Sequence, residues 1–153
     1  MRKQIIKNRQ IIEDDWTHLD ENDALPESGN VTISYARWQE EKNNMLHFKG
    51  ELGIALNTDV AIDKLKDNLH NIALITINFT EFKDGRGFSL ARLLRERYQF
   101  DGEIRATGNV LRDQIYYLHR CGFDAFELEP HRDINEAMLA FDDFSVNYQP
   151  AVV

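Results

Sequence analysis

The chain has 153 residues, 42% hydrophobic and 29% charged, with a net charge of −8 and a single cysteine. That size suits one domain with its own core. The acidic balance argues against nonspecific nucleic-acid binding, which depends on neutralising phosphates, and no apolar run approaches the roughly 20 residues that cross a bilayer.

Cys121 alone permits neither an intrachain disulfide nor a thiolate cluster. The five histidines (His18, His47, His70, His119 and His131) show no H-x-x-x-H spacing, so no metal site is expected. The N-terminus is basic but lacks the long apolar stretch of a secretory signal, which makes a cytoplasmic location the default expectation.

Taken in chain order, Ile5-Ile6 and Ile11-Ile12 flank Lys7-Asn8-Arg9-Gln10 and predict a short hairpin. Residues 20–30 are acidic and rich in turn formers, and read as a mobile linker or loop. Residues 1–30 are thus expected to be an N-terminal β appendage, and residues 31–153 a single domain of βα repeats. Within the latter, Val31–Tyr35 predicts a strand and Arg37–Asn43 a helix. Leu52–Leu56 predicts a second strand. Thr58 or Asp59 could cap a helix to about His70, with Val60, Ile62, Leu65 and Leu69 as its apolar face.

Ile72–Phe79 is almost continuously apolar, the pattern of a strand covered on both faces. A helix is expected over Ser89–Tyr98, with Ser89 as its N-cap and Leu90, Leu93 and Leu94 as its stripe. Glu103–Thr107 predicts a strand and Val110–Cys121 a helix, with Gly122 at the left-handed position that ends it. Ala125–Leu128 predicts a further strand. Asp133 and Glu136 have the spacing of a capping box for a helix through Phe141. The apolar tail, Phe144–Val153, is expected to dock on the body. The sum is an α/β protein of about five successive βα units forming a parallel sheet, either partial TIM-barrel-like or open and doubly wound. A partial barrel leaves strand edges that a second copy could cover, so a homodimer is one expected partner.

Chemistry in such folds gathers at the carboxyl ends of the strands. The loop Phe82-Lys83-Asp84-Gly85-Arg86-Gly87-Phe88-Ser89 falls there, with two glycines, two cations and a helix start. That composition can hold an anion on bare amides and a helix N-terminus. Residues 83–120 carry a local charge of +3 against −11 elsewhere. Most of their arginines are expected on solvated helix faces, with Arg92 and Glu96 four apart.

The candidate anion-binding residues are Lys83, Gly85, Arg86, Gly87, Ser89, Asn109 and Arg112, facing a small oxyanion or a phosphorylated ligand. Asp84 and Glu129 are the candidate general bases. Arg37, Trp38, Asn57, Thr58, Asp59, Thr107, Gly108, Asp113 and His131 fall on the same rim, and several of them have ordinary capping or turn roles. The third glycine of G-x-G-x-x-G is Leu90, and neither G-K-[ST] nor G-x-S-x-G occurs. No cofactor is implied. Cys121, beside apolar neighbours, reads as a small buried hydrophobe.

The run from Phe82 to Arg97 resembles the signature of a bacterial family, domain of unknown function 934. So do Gly102–Gln114, Leu118–Leu128, Ile12-Glu13-Asp14-Asp15-Trp16 and Phe144–Gln149. The family often has proline where this chain has Thr80. Members are commonly encoded beside assimilatory sulfite reductase and are loosely labelled oxidoreductases. The resemblance therefore implies an accessory protein of sulfur assimilation that binds a small oxyanion. Its alternatives are a non-catalytic module docking on a sulfite reductase subunit, or a barrel-like enzyme using Asp84 or Glu129 as base.

Overall fold

The computed structural model describes residues 3–43, 45, 48–80 and 85–147. Its eight strands form one mixed sheet in the order β2-β1-β8-β7-β6-β5-β4-β3. They are β1 (Gln4–Lys7), β2 (Gln10–Glu13), β3 (Thr17–His18), β4 (Ser28–Ser34), β5 (Lys49–Asn57), β6 (Leu74–Phe79), β7 (Glu103–Gly108) and β8 (Ala125–Phe126). The helices are α1 (Tyr35–Glu41), α2 (Gly85–Arg92), α3 (Arg112–Cys121) and α4 (Ile134–Asn147). A π turn over Leu93–Arg97 continues α2.

The expected hairpin forms, with Asn8 and Arg9 both at positive φ (52° and 64°), as a two-residue turn between twisted strands requires. It is not an appendage. Strand β1 pairs antiparallel with β8, setting Ile6 opposite Phe126, and so extends the main sheet.

Sheet curvature follows from chain reach. The outermost strands, β2 and β3, are joined only by Asp14, Asp15 and Trp16. Laid flat, eight strands about 4.8 Å apart would put those edges about 34 Å from each other. The step from Glu13 to Thr17 spans at most about 14 Å. The sheet therefore curls into a half-barrel, and its two edge strands approach across the concave side.

These facts correct the expected architecture. Two antiparallel pairings, β1 with β2 and β1 with β8, make the sheet mixed rather than parallel. The strands from β3 to β8 lie side by side in chain order, without the reversal that defines a doubly wound sheet. A partial TIM barrel fails as well, because the β5–β6 crossover has no α-helix. The expected helix from Thr58 or Asp59 to His70 is instead a series of three-residue turns: Leu65 N–H donates to Ile62 O (2.9 Å), Asn68 to Leu65 (2.8 Å) and Asn71 to Asn68 (3.0 Å). The turns still bury Ile62, Leu65 and Leu69, which is why the apolar spacing looked helical. Val60 and Ile62 are β-branched, and Asp59, Asp63, Asp67 and Asn68 compete for backbone groups, so local preference does not oppose the unwinding.

The core lies between the helices and one face of the sheet. Ile33, Ile54, Ile75 and Ile104 form a row of register partners across β4 to β7, each fully buried. Each such side chain contributes about 1.5–3 kcal/mol of burial. Alternation sends Thr32, Gly53, Leu74 and Glu103, the next row, to the other face. Asp133 caps α4, its Oδ1 accepting from Asn135 N–H (2.9 Å) and Glu136 N–H (3.2 Å). Gly122 ends α3 at φ 122°. Residues 28–30 of the supposed linker belong to β4, and Arg37 pins the rest by donating to Asp20 O (2.7 Å) and Asp23 O (2.6 Å).

Candidate functional site

The strand ends do form a rim, but the expected residues divide between separate hollows. Gly85, Arg86 and Ser89 line a shallow one with Thr58, Val60, Leu90 and Leu93. Ser89 is not the N-cap of α2, which begins at Gly85; it sits one turn inside. Gly87 is buried against Phe79, whose ring would stand 2.2 Å from an added Cβ, so this glycine serves the seating of α2 on β6. Lys83 and Asp84 lie outside the described residues.

Arg112 lines a second hollow, of about 280 Å³, with Val110, Leu128, His131, Arg132, Asp133, Glu136 and Ala137. Helices α3 and α4 both begin at its margin. The turn after β8 brings in Arg132, whose N–H donates to Glu129 O (3.0 Å). Arg132 Nη2 donates to Asn109 Oδ1 (3.4 Å), which ties the β7 and β8 ends together. Its Nε is buried and has no hydrogen-bond partner. Arg112 lies 3.5 Å from Glu136 in an exposed pair. Asn109, Arg112 and His131 thus lie around an arginine that the sequence reading passed over. Glu129 enters through its backbone carbonyl.

The other rim residues have structural duties. Arg37 is buried and bonded to the 20–23 loop and to Glu41. Trp38 stacks on Tyr35. Thr107 Oγ1 donates to Asn78 Oδ1 (3.3 Å). Gly108 turns at φ 85°, where a Cβ would meet Asn78 Oδ1 at 2.5 Å and Phe79 O at 2.6 Å. Cys121 is buried, as its neighbours implied.

The concave face holds a second constellation, which the sequence reading missed. Arg105 on β7, 1% exposed, is surrounded by acids. Its Nε and Nη2 reach Glu103 Oε2 at 2.9 and 2.8 Å, and its Nη1 stands 3.1 Å from Asp14 Oδ1 and 3.7 Å from Glu127 Oε1. Lys7 reaches Glu103 Oε1 (3.0 Å), and Lys3 reaches Glu127 Oε2 (3.4 Å). His18 bridges Asp14 Oδ2 (Nε2, 2.7 Å) and Thr32 Oγ1 (Nδ1, 2.8 Å).

Burial by itself would raise the Asp14 carboxyl's pKa. The His18 hydrogen bond, the Arg105 charge and the Trp16 N–H (3.0 Å) outweigh it and hold the group at about 2. The strap that joins the sheet edges is therefore fastened to the middle of the sheet by charge. One signal was available: in Glu103-Ile104-Arg105-Ala106-Thr107 the polar residues alternate with apolar ones, which places them together on one face.

Among the described residues, no helix is long and apolar enough to cross a membrane. A family model described as a bacterial protein of unknown function, DUF934, matches residues 53–153. No curated protein and no solved structure matches the chain.

Proposed function

Since the chain belongs to the DUF934 family of bacterial proteins of unknown function, we propose a role from its own residues: it binds a small oxyanion in the hollow between the β7 and β8 ends. The observation that carries this reading is Arg132, whose buried Nε lacks an acceptor beside a cavity of about 280 Å³. A guanidinium offers its donors in a planar fork that suits sulfur or phosphorus oxyanions, and leaving one of those donors buried and unpaired is costly. Arg112 and His131 border the same space, and the start of α3 adds partial positive charge, while the first N–H groups of α4 are taken by Asp133.

The oxyanions to try first are sulfite and sulfate, in keeping with an accessory role in sulfur assimilation or beside a sulfite reductase. Calorimetric titration with sulfite, sulfate and phosphate tests the reading. Saturable binding that Arg132→Gln weakens about tenfold or more, and that Arg86→Gln leaves unchanged, is the expected result. Absence of binding, or equal binding by the Arg132 variant, refutes it.

A further inference from the structure

Resting on the oxyanion reading, we propose that the hollow between the β7 and β8 ends takes a singly charged organic oxyanion, a sulfonate or sulfate ester with a short aliphatic group, rather than a bare inorganic ion. Size is the first argument. The hollow measures about 280 Å³. A tetrahedral oxyanion displaces roughly three waters, about 90 Å³ at 30 Å³ each. An ion held by Arg132 alone would leave more than half of the space to something else.

The second argument is the wall around that remainder. Val110, Leu128 and Ala137 line the hollow and are themselves buried. Val110 precedes α3, Leu128 follows β8 and Ala137 lies on α4, so three parts of the chain present apolar carbon to one space. Aliphatic carbon placed there leaves water for an apolar surface, which is favourable. The polar end is Arg132, whose buried Nε lacks an acceptor. A ligand that suits both ends has an anionic head and an apolar body.

Charge is the third. Arg112 and Arg132 are matched in the lining by Asp133 and Glu136. Glu136 stands 3.5 Å from Arg112, and Asp133 Oδ1 accepts from the first N–H groups of α4. Among the described lining residues there is no further lysine or arginine to meet a second negative charge on the ligand. A sulfonate or sulfate ester carries one charge and keeps three oxygens for the guanidinium fork. A phosphate monoester carries about 1.5 to 2 at neutral pH.

The test is calorimetric titration of the full chain near neutral pH with sulfate, methanesulfonate, butane-1-sulfonate and butyl phosphate. A methylene fully removed from water is worth about fourfold in affinity. Three more of them, partly covered, should make butane-1-sulfonate bind about tenfold tighter than methanesulfonate. It should also bind tighter than sulfate or butyl phosphate. Leu128→Asn, checked for native circular dichroism, should erase most of the chain-length gain and leave methanesulfonate binding unchanged; the wild-type series decides the matter without it. If none of the four anions binds, the oxyanion reading fails and the organic ligand with it. If methanesulfonate, sulfate or butyl phosphate binds as tightly as butane-1-sulfonate, the oxyanion reading stands and the proposal made here is overturned.

Discussion

Replacing Arg105 with methionine tests whether the charged cluster holds the curled sheet together. Methionine fills much of the same volume, so the main loss is electrostatic. Glu103 Oε2 would lose two contacts of 2.8–2.9 Å, and Asp14 Oδ1 its cation at 3.1 Å. Removing one partner from a buried charge pair costs about 3–5 kcal/mol. Lys7 still faces Glu103, and His18 and the Trp16 N–H still face Asp14, which puts the expected loss near the lower end, about 3 kcal/mol.

At roughly 2–4 °C per kcal/mol for a chain of this size, the melting temperature should fall by about 6–12 °C. The assay is urea and thermal unfolding followed by circular dichroism. Because the Arg105 charge is one of the causes that hold the Asp14 carboxyl low, the variant's deficit should shrink as pH falls into the acid range. The double variant Glu103→Gln/Arg105→Met should be more stable than Arg105→Met alone. A single variant within about 1 kcal/mol of wild type, with a deficit independent of pH, would refute the assignment.

Two further outcomes are expected. The Asp14 carboxyl, at about 2 in the fold against an ordinary 3.8, contributes stability that is full above the ordinary value and lost as pH falls toward 2. That difference is worth about 2 kcal/mol, so Asp14→Asn should be less stable by that amount at neutral pH and should converge on wild type in strong acid, as pH-dependent urea titrations will read. Gly87→Ala should destabilise by about 1–3 kcal/mol despite alanine's helix preference, because the Phe79 ring blocks the new Cβ, and Phe79→Leu in the same chain should recover part of the loss in thermal melts.

Local pattern made much of the secondary structure legible. The paired isoleucines gave away the hairpin, and the apolar run before Thr80 gave away β6. Sequence spacing could not show that the hairpin joins β8, because that pairing spans about 120 residues and is decided by curvature. Ile62, Leu65 and Leu69 satisfied a helical spacing while being buried by turns.

Asn109, Arg112 and His131 lie near one another at the β7 and β8 ends, whereas Arg86 lines a different hollow. The concave cluster escaped notice for a physical reason. A polar strand face normally meets water, and Arg105 was counted among solvated charges; here the sheet folds over that face and takes the arginine out of solvent. Asp14 and His18 have D-x-x-x-H spacing, but their companions Arg105 and Glu127 arrive some ninety residues or more later, on β7 and just past β8.

The pairing of β1 with β8 also sets the order of events during synthesis. Strand β1 is made long before β8 and has β2 alone to pair with until residue 126 has emerged. Until then its isoleucines are open to unintended pairing, the usual hazard of distant contacts. Nascent chains that still lack β8 should accordingly be the most dependent on chaperones.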